Sequence, residues 1–274
     1  MTDASRYRDL EIETKEQVAT IRIFSPMKAI RAGRPPDLHW ELGSALSELR
    51  GDNSVRVIVL TGAEDGEFLA PPTTEAYSSD RGRNTRTDPG WLWKTFTGIL
   101  RTHQTMAEIE KPIVARVNGD AIGFGQSLMF ASDIIVARED ARVADMHMGM
   151  AEVEPFGPPY GIVPGDGGAA LVPLYMTPAK AKEYLMLAKP YTAGELARLG
   201  IINYAVPVAE LDALIEDIIG RLLKRSAYAL AWTKRVANRR LAHHLNLTLD
   251  AGAAYEMVNF LQIERLRGND KTLG

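Results

Sequence analysis

Three short runs of apolar and β-branched residues constrain the fold of this chain more than any other feature. They are Val55–Leu60 (VRVIVL), residues 111–119 (KPIVARVNG) and Asp133–Ala137 (DIIVA). Runs of this kind, nearly free of polar alternation, are typical of strands buried on both faces of a parallel sheet. Apolar residues at helical spacing separate them, from Trp91 to Ile109 and from about Gln126 to Ala131. Strand, helix and strand in this order predict right-handed crossovers and a parallel α/β core.

The sequence ahead of this core predicts a hairpin and a helix. Residues 10–12 and Val18–Ile23 alternate as strands do, and the polar turn at residues 14–17 lies between them. Asp37 is placed to cap a helix whose apolar positions run from Leu38 to Leu49. Residues 61–90 hold many Gly, Pro, Ser, Thr and charged residues, and the composition predicts a mobile loop there.

From Thr177 onward the pattern changes to helices. The predicted helices are Pro178–Leu187, Ala193–Arg198, Leu211–Lys224, Ala227–His244 and Leu247–Ile263. We therefore expect an α/β core over residues 1–200 and a helical C-terminal region over residues 201–274. Apolar residues surround much of these last helices, from Leu245 to Phe260, and a helix of that kind needs a cover. A partner subunit is the expected cover.

Composition excludes several classes of function. Lys and Arg number 32 against 35 Asp and Glu, so the net charge of −3 provides no field that would hold a nucleic acid. Cysteine is absent, which excludes disulfides, thiolate metal sites and a cysteine nucleophile. The polar N-terminus does not resemble a signal peptide, and the apolar runs are too short to cross a membrane. We expect a cytoplasmic protein with no membrane or nucleic-acid partner.

The central segment KPIVARVNGDAIGFGQSLMFASDIIVA resembles the crotonase (enoyl-CoA hydratase/isomerase) superfamily. The loop in VRVIVLTGAEDGEFLA and the segment TPAKAKEYLMLAKPYTAGELARLGIINYAVP are also similar to that family, in the same order. The resemblance implies the crotonase fold of repeated ββα units, with a helical C-terminal trimerisation region and a homotrimer or hexamer. It implies an enzyme that stabilises the enolate of a small carbonyl substrate, usually a CoA thioester. Lys28 and Arg31 are basic residues that could meet CoA phosphates.

The chain departs from the family at the residues that would do this chemistry. Two backbone N–H groups normally bind the carbonyl oxygen. The first aligns to Pro72, which has no N–H, and the second to Phe124, in a turn where the family usually has small glycines. The two usual catalytic glutamates align to Ser127 and to a position near Gly157. An ordinary hydratase is therefore not the first expectation.

The motif GIVPGDGG (residues 161–168) is similar to that of the 6-oxocamphor hydrolases, the β-diketone-cleaving branch of the family. The resemblance implies that Asp166 is catalytic, as a general acid with a raised pKa, and that Glu256 is the C-terminal glutamate of that branch. The two histidines of the branch align to Phe124 and Gly157, so His147 is the nearest substitute.

Each of these residues also has a simpler interpretation. Asp166 lies between glycines and could be a turn residue that bonds its own backbone. His147 lies among methionines, where a histidine is often a hydrogen-bonded packing residue. Glu154 is either a second catalytic acid or a solvated residue. Tyr160 either packs the loop or donates a hydrogen bond in place of the missing Pro72 N–H.

We expect the substrate to contact the loop around Pro72, the Gly-rich turn and the loop around Tyr160. The expected contact residues are Ala70, Pro72, Phe124, Gly125 and Tyr160. No metal site and no cofactor are expected. The favoured function is hydrolytic C–C cleavage of a β-diketone, a retro-Claisen step. Hydration or isomerisation of an enoyl-CoA is the alternative, and a catalytically silent scaffold is a second one.

Overall fold

The structure is a computed structural model that describes residues 6–149, 157–158 and 161–268. Its strands are β1 (Leu10–Lys15), β2 (Val18–Ile23), β3 (Val57–Gly62), β4 (Gly66–Leu69), β5 (Ile113–Val117), β6 (Gly119–Ile122), β7 (Ile134–Arg138), β8 (Arg142–Ala144), β9 (Tyr191–Thr192) and β10 (Tyr204–Val206). Its helices are α1 (Pro26–Arg31), α2 (Leu38–Gly51), α3 (Thr74–Ser78), α4 (Asp80–Thr87), α5 (Pro89–Glu108), α6 (Phe124–Ala131), α7 (Gly168–Tyr175), α8 (Pro178–Met186), α9 (Ala193–Arg198), α10 (Val208–Leu223), α11 (Ala227–Ala237) and α12 (Arg239–Gly268). Within these ranges no helix is long and apolar enough to cross a membrane.

The strands form two sheets. The larger sheet has the order β1-β2-β3-β5-β7-β10 and the smaller one has β4-β6-β8-β9. From β3 to β8, consecutive strands alternate between the larger and the smaller sheet. From β2 to β10, neighbours in the larger sheet run parallel, as the crossover pattern predicts. This alternation is the repeated ββα architecture that the resemblance implies, and the predicted fold class is confirmed.

The elements read from apolar patterning lie where the sequence predicts them. All six residues of β3 are buried, which is why the run carries no polar alternation. The β1–β2 hairpin turns through Glu16 and Gln17, both at positive φ. Helix α2 begins after Asp37 as predicted, but the Asp37 side chain does not cap it, because its carboxylate pairs with Arg8 and Lys94.

The prediction of a mobile loop over residues 61–90 is wrong. Strand β4 and helices α3 and α4 occupy most of this segment, and α5 begins at its end. The polar residues that suggested a loop are helix caps: the side chains of Thr73, Ser79 and Asp88 each accept a hydrogen bond from a backbone N–H in the first turn that follows. Cap residues and loop residues are of the same types, so composition alone does not separate them.

The C-terminal helices differ from the prediction at one boundary. The helical structure is interrupted at Asn238, which lies between α11 and α12. Residues 239–268 then form one continuous helix. Asn238 donates from its side-chain amide to the Ala107 carbonyl, which ties the break to α5. The predicted helix Ala227–His244 therefore ends at Ala237, and no break separates His244 from Leu247.

Helix α12 is covered mainly by its own chain. Leu245, Leu249 and Ala253 are fully buried and belong to the main hydrophobic cluster with residues of α5 and α7. Leu247 is 66% exposed. The chain's own core therefore covers these buried residues, and a partner subunit as the cover of exposed residues such as Leu247 stays a prediction. The division of the chain at residue 200 stays a prediction.

Candidate active site

A cavity of about 150 Å³ lies between α2, the α3–α4 segment, the N-terminus of α6 and α12. Most of its wall is apolar. Apolar residues of this wall include Pro26, Ile30, Leu38, Leu69, Ala70, Pro71, Pro72, Ile122, Phe124, Met146 and Phe260. Polar side chains that also line it include His39, Tyr77, His147, Asp166 and Glu256. The predicted site residues Ala70, Pro72 and Phe124 thus share one cavity with three of the four predicted catalytic residues.

His147 is the centre of the polar group. Its Nδ1 donates to Asp145 Oδ1 at 2.8 Å, and the same oxygen accepts the His147 backbone N–H at 2.9 Å. On the other side of the ring, Nε2 lies 3.4 Å from Asp166 Oδ2 and 3.6 Å from Glu256 Oε1. All four side chains are buried. A buried charge must be paired to be tolerated, and this arrangement pairs one imidazole with three carboxyl groups.

Three different elements bring these groups together. Asp145 and His147 follow directly on strand β8, Asp166 lies in the turn before α7, and Glu256 is on α12. Glycines allow the close approach. A Cβ at Gly165 would lie 2.3 Å from the Gly252 carbonyl oxygen and 2.8 Å from Glu256 Cβ, so α12 can contact this turn only because Gly165 has no side chain.

Gly167 is the other glycine that the motif needs. Its φ of +126° is a conformation that residues with a side chain rarely adopt. A Cβ there would also lie 2.5 Å from His103 Nε2. The GDGG sequence therefore holds Asp166 against the histidine, and the interpretation of Asp166 as a simple turn residue does not account for its contacts with His147 and Ser127.

The pKa shifts correct one expectation. Burial raises the pKa of Asp166, but the charge and hydrogen bond of His147 outweigh it, and the net shift is downward. Burial lowers the pKa of His147, but Asp166 and Asp145 outweigh this effect and raise its pKa well above the ordinary value. Burial raises the pKa of Glu256 to about 7. The proton at neutral pH therefore belongs to His147, and the carboxyl with a raised pKa is Glu256 instead of Asp166.

Sequence reasoning missed two residues of the site. Asp145 offered a signal, since Asp-x-His directly after a strand places both side chains on one face of the extended chain. His39 on α2 offered none. Its ring lies against that of Phe124, with centroids 4.2 Å apart, and burial lowers its pKa to about 4. His39 is therefore neutral near pH 7, while His147 is charged.

The region that binds the carbonyl oxygen in the family is altered as the sequence indicates. Pro72 has no N–H to offer, and its carbonyl oxygen accepts the Gly157 N–H at 3.1 Å. Phe124 is the first residue of α6, where backbone N–H groups lack intrahelical acceptors. A Cβ at Gly125 would lie 2.3 Å from the Leu69 carbonyl oxygen, so this glycine sets the spacing between α6 and β4. Glu154 and Tyr160 lie outside the described residues.

One group of side chains has the spacing of a metal site. Ligand-type atoms of Asp145, His147 and Asp166 lie within 4.8 Å of one another. In the structure Nδ1 of His147 donates to Asp145 and Nε2 faces Asp166, so each ring nitrogen has a carboxylate partner. Of the two basic residues suggested as contacts for CoA phosphates, Lys28 has its Nζ atom 3.1 Å from the centre of the Phe24 ring, in a cation–π contact.

Comparisons with known proteins agree with this fold. The model of the enoyl-CoA hydratase/isomerase family matches residues 13–265. The chain is 29% identical over 232 residues to the crotonyl-CoA hydratase of Syntrophomonas wolfei, which covers 85% of this chain and 82% of the relative. An enoyl-CoA hydratase/isomerase structure from Mycobacterium paratuberculosis is similar with a TM-score of 0.75 at 28% identity, over 92% of this chain and 94% of the other. A β-diketone hydrolase structure from the cyanobacterium Anabaena, bound to (S)-3-oxocyclohexyl acetic acid, has a TM-score of 0.77 at 23% identity, over 95% and 97%. At that identity the second structure supports the fold alone.

Proposed function

Because this chain belongs to the enoyl-CoA hydratase/isomerase family, we propose that it is an enolate-forming enzyme that cleaves a C–C bond of a β-diketone with water. The observation that carries the proposal is the contact of His147 with Asp145, Asp166 and Glu256 at the wall of an apolar cavity. Ser127 stands where the resemblance implies a catalytic glutamate of an ordinary hydratase. The acid–base groups of this chain therefore come from other positions.

Glu256 is the base in this proposal. Its Oε2 atom is buried and has no hydrogen-bond partner among the described residues, and a pKa of about 7 suits proton transfer near neutrality. Water adds to one carbonyl carbon while Glu256 takes a proton from that water molecule. The bond to the central carbon then breaks, and its electron pair forms the enolate of the second carbonyl. Glu256 returns the proton to the enolate carbon, so one diketone and one water give one carboxylic acid and one ketone.

His147 is the electrophile. Its protonated ring presents Nε2–H to the oxygen that becomes negative, first in the tetrahedral adduct and then in the enolate. Asp145 holds the other ring nitrogen and fixes the direction of the ring. Asp166 keeps the proton on His147 through its own negative charge. This role replaces the general-acid role expected for Asp166, because a carboxyl with a lowered pKa is a weak proton donor at neutral pH.

Hydration or isomerisation of an enoyl-CoA is the second candidate. The relatives named crotonyl-CoA hydratase and carnitinyl-CoA dehydratase favour it, at 29% identity each. The same Glu256–His147 pair could add water to a double bond. A silent scaffold fits less well. Burying several carboxyl groups around one histidine lowers the stability of the fold, and such clusters are typical of functional sites.

For assembly we propose a homotrimer or hexamer. Tyr228, Trp232 and Val236 of α11 are 79%, 60% and 70% exposed and recur every fourth residue, so they form one apolar stripe. A stripe of this kind favours a protein partner. Sedimentation at micromolar concentration tests the proposal, and a monomer there would contradict it.

Turnover in ¹⁸O-labelled water tests the reaction. Purified protein is incubated with cyclic and open-chain β-diketones and, separately, with crotonyl-CoA. Retro-Claisen cleavage gives a carboxylic acid that carries label from the solvent and a ketone, whereas hydration gives a labelled 3-hydroxyacyl-CoA. His147→Gln is the inactive control. Formation of the 3-hydroxyacyl product alone would replace the first proposal by the second.

A further inference from the structure

We propose that Gln126 is a positioning residue that joins the two carboxylates on opposite sides of His147 and thereby sets the protonation of the whole group. The inference rests on the proposed function only in taking His147 and Glu256 as the acid–base pair. Gln126 is fully buried in α6 and is not among the residues that line the cavity. It therefore acts through its neighbours and not on the substrate.

The side-chain amide of Gln126 reaches both carboxylates. Its Nε2 donates to Ser127 Oγ at 3.0 Å and approaches Asp145 Oδ2 at 3.4 Å. Ser127 Oγ in turn donates to Asp166 Oδ1 at 3.3 Å. The contacts close a ring, because Asp145 bonds Nδ1 of His147 and Asp166 lies at its Nε2. One amide therefore links the carboxylate on each side of the imidazole.

Asp145 and Tyr184 together decide which way the amide points, because a carboxylate accepts the NH₂ group and the Tyr184 hydroxyl can then donate to Oε1. This hydroxyl lies 3.5 Å from Gln126 Oε1, and the tyrosine is fully buried. An amide can be turned over without changing its shape, and only its partners decide the orientation. A hydroxyl donor at Oε1 leaves the NH₂ group for the acceptors on the other side. The NH₂ group then faces Asp145 and Ser127.

Helix α7 packs against the contact between Gln126 and Asp145. A Cβ at Gly168 would lie 2.2 Å from Asp145 Oδ2 and 3.2 Å from Gln126 Nε2, so the backbone of α7 lies directly against this pair. In such a setting a dipole acts strongly, because little solvent screens it. The positive end of the Gln126 amide faces a group with excess negative charge. It therefore lowers the proton affinity of His147 and of Glu256.

Gln126→Leu removes this dipole while keeping a buried apolar side chain in its place. Without the amide dipole both limbs of the pH–rate profile should move to higher pH, by about half a pH unit or more, because His147 and Glu256 then hold their protons more tightly. We expect kcat to fall about 10- to 100-fold, as for a lost hydrogen bond to a charged group, with KM changed less than about twofold. Gln104→Leu, in which the lost side-chain amide bonds Asn246 on α12, is the matched control and should leave the profile in place.

A substrate-free measurement separates this inference from the proposed function. The ring of His147 is titrated by NMR in protein with labelled histidine, and His147→Gln assigns its signal among the five histidines. An upward shift of this titration in Gln126→Leu supports the network even if no diketone is cleaved. An unchanged titration in a folded Gln126→Leu protein overturns it, even if the enzyme is a diketone hydrolase.

Two milder variants keep the test decisive if Gln126→Leu does not fold. Tyr184→Phe removes only the hydroxyl that helps to orient the amide, and Ser127→Ala removes only the link to Asp166. Each should shift the His147 titration upward by less than Gln126→Leu would. A titration that coincides with the wild type in both variants contradicts the proposal, whereas a loss of melting temperature without any shift indicates packing alone.

Discussion

Replacing Asp145 by Asn tests whether this carboxylate keeps the proton on His147. Asp145 Oδ1 accepts two hydrogen bonds, from the ring and from the backbone of His147, and Oδ2 has Gln126 beside it. In Asp145→Asn one of the two carboxylate oxygens is replaced by an NH₂ group. That NH₂ group then faces either the N–H groups of His147 or the NH₂ group of Gln126, and no hydrogen bond forms between two donors. A hydrogen bond to a charged group contributes about 1.5–3 kcal/mol and a neutral one about 0.5–1.5 kcal/mol. The loss of about 1–1.5 kcal/mol corresponds to a fall of about one unit in the His147 pKa.

The expected result follows from the sign of that change. The protonated ring is the active form, so activity is lost as the pH rises through the raised pKa of His147. Asp145→Asn lowers this pKa, and the alkaline limb of the kcat profile should move down by about one pH unit. The assay is initial rate against pH, with melting temperature measured on the same samples.

Asp120→Asn is the matched control for this substitution. Asp120 also accepts a backbone N–H and a side-chain donor, both from Arg142, but it does not line the cavity. It should leave both limbs unmoved. An alkaline limb that stays in place in a folded Asp145→Asn protein would refute the reasoning that Asp145 holds the proton.

Three other predictions follow from the same geometry. Glu256→Gln should lower kcat at least about 100-fold and abolish the acid limb near pH 7, since activity otherwise rises as Glu256 loses its proton; a retained limb in the pH–rate profile assigns the base elsewhere. Gly165→Ala should destabilise the protein by about 1–3 kcal/mol in denaturant unfolding, because the new methyl group overlaps the Gly252 carbonyl; unchanged stability would show that α12 can move aside. Dialysis against a chelator should leave turnover unchanged, and recovery only on adding a divalent metal would contradict proton-based catalysis at His147.

Apolar patterning predicted the core well, since it depends on burial alone. In the run Val55–Leu60 every residue except Arg56 is buried, as expected for a strand of a parallel sheet that is covered on both faces. Composition, by contrast, gave a wrong prediction over residues 61–90. There, short helices depend on single caps such as Ser79 and on contacts with α12, which no local pattern reveals. The loss matters for function, because Tyr77 and Arg86 of this segment line the cavity.

The resemblance pointed to Asp166 and Glu256 as site residues, and both line the same cavity. It did not predict their protonation, because a pKa depends on which groups meet. Asp166 and Glu256 are in similar apolar surroundings, and burial alone would raise the pKa of both. Their pKa values move in opposite directions because the charge and hydrogen bond of His147 outweigh burial at Asp166, whereas at Glu256 burial is the largest effect and the charges of Asp166 and Asp145 add to it. At neutral pH His147 is protonated and Asp166 is ionised, so Glu256, with a pKa of about 7, is the carboxyl that can both gain and lose a proton there. This is the physical reason for placing proton transfer at Glu256.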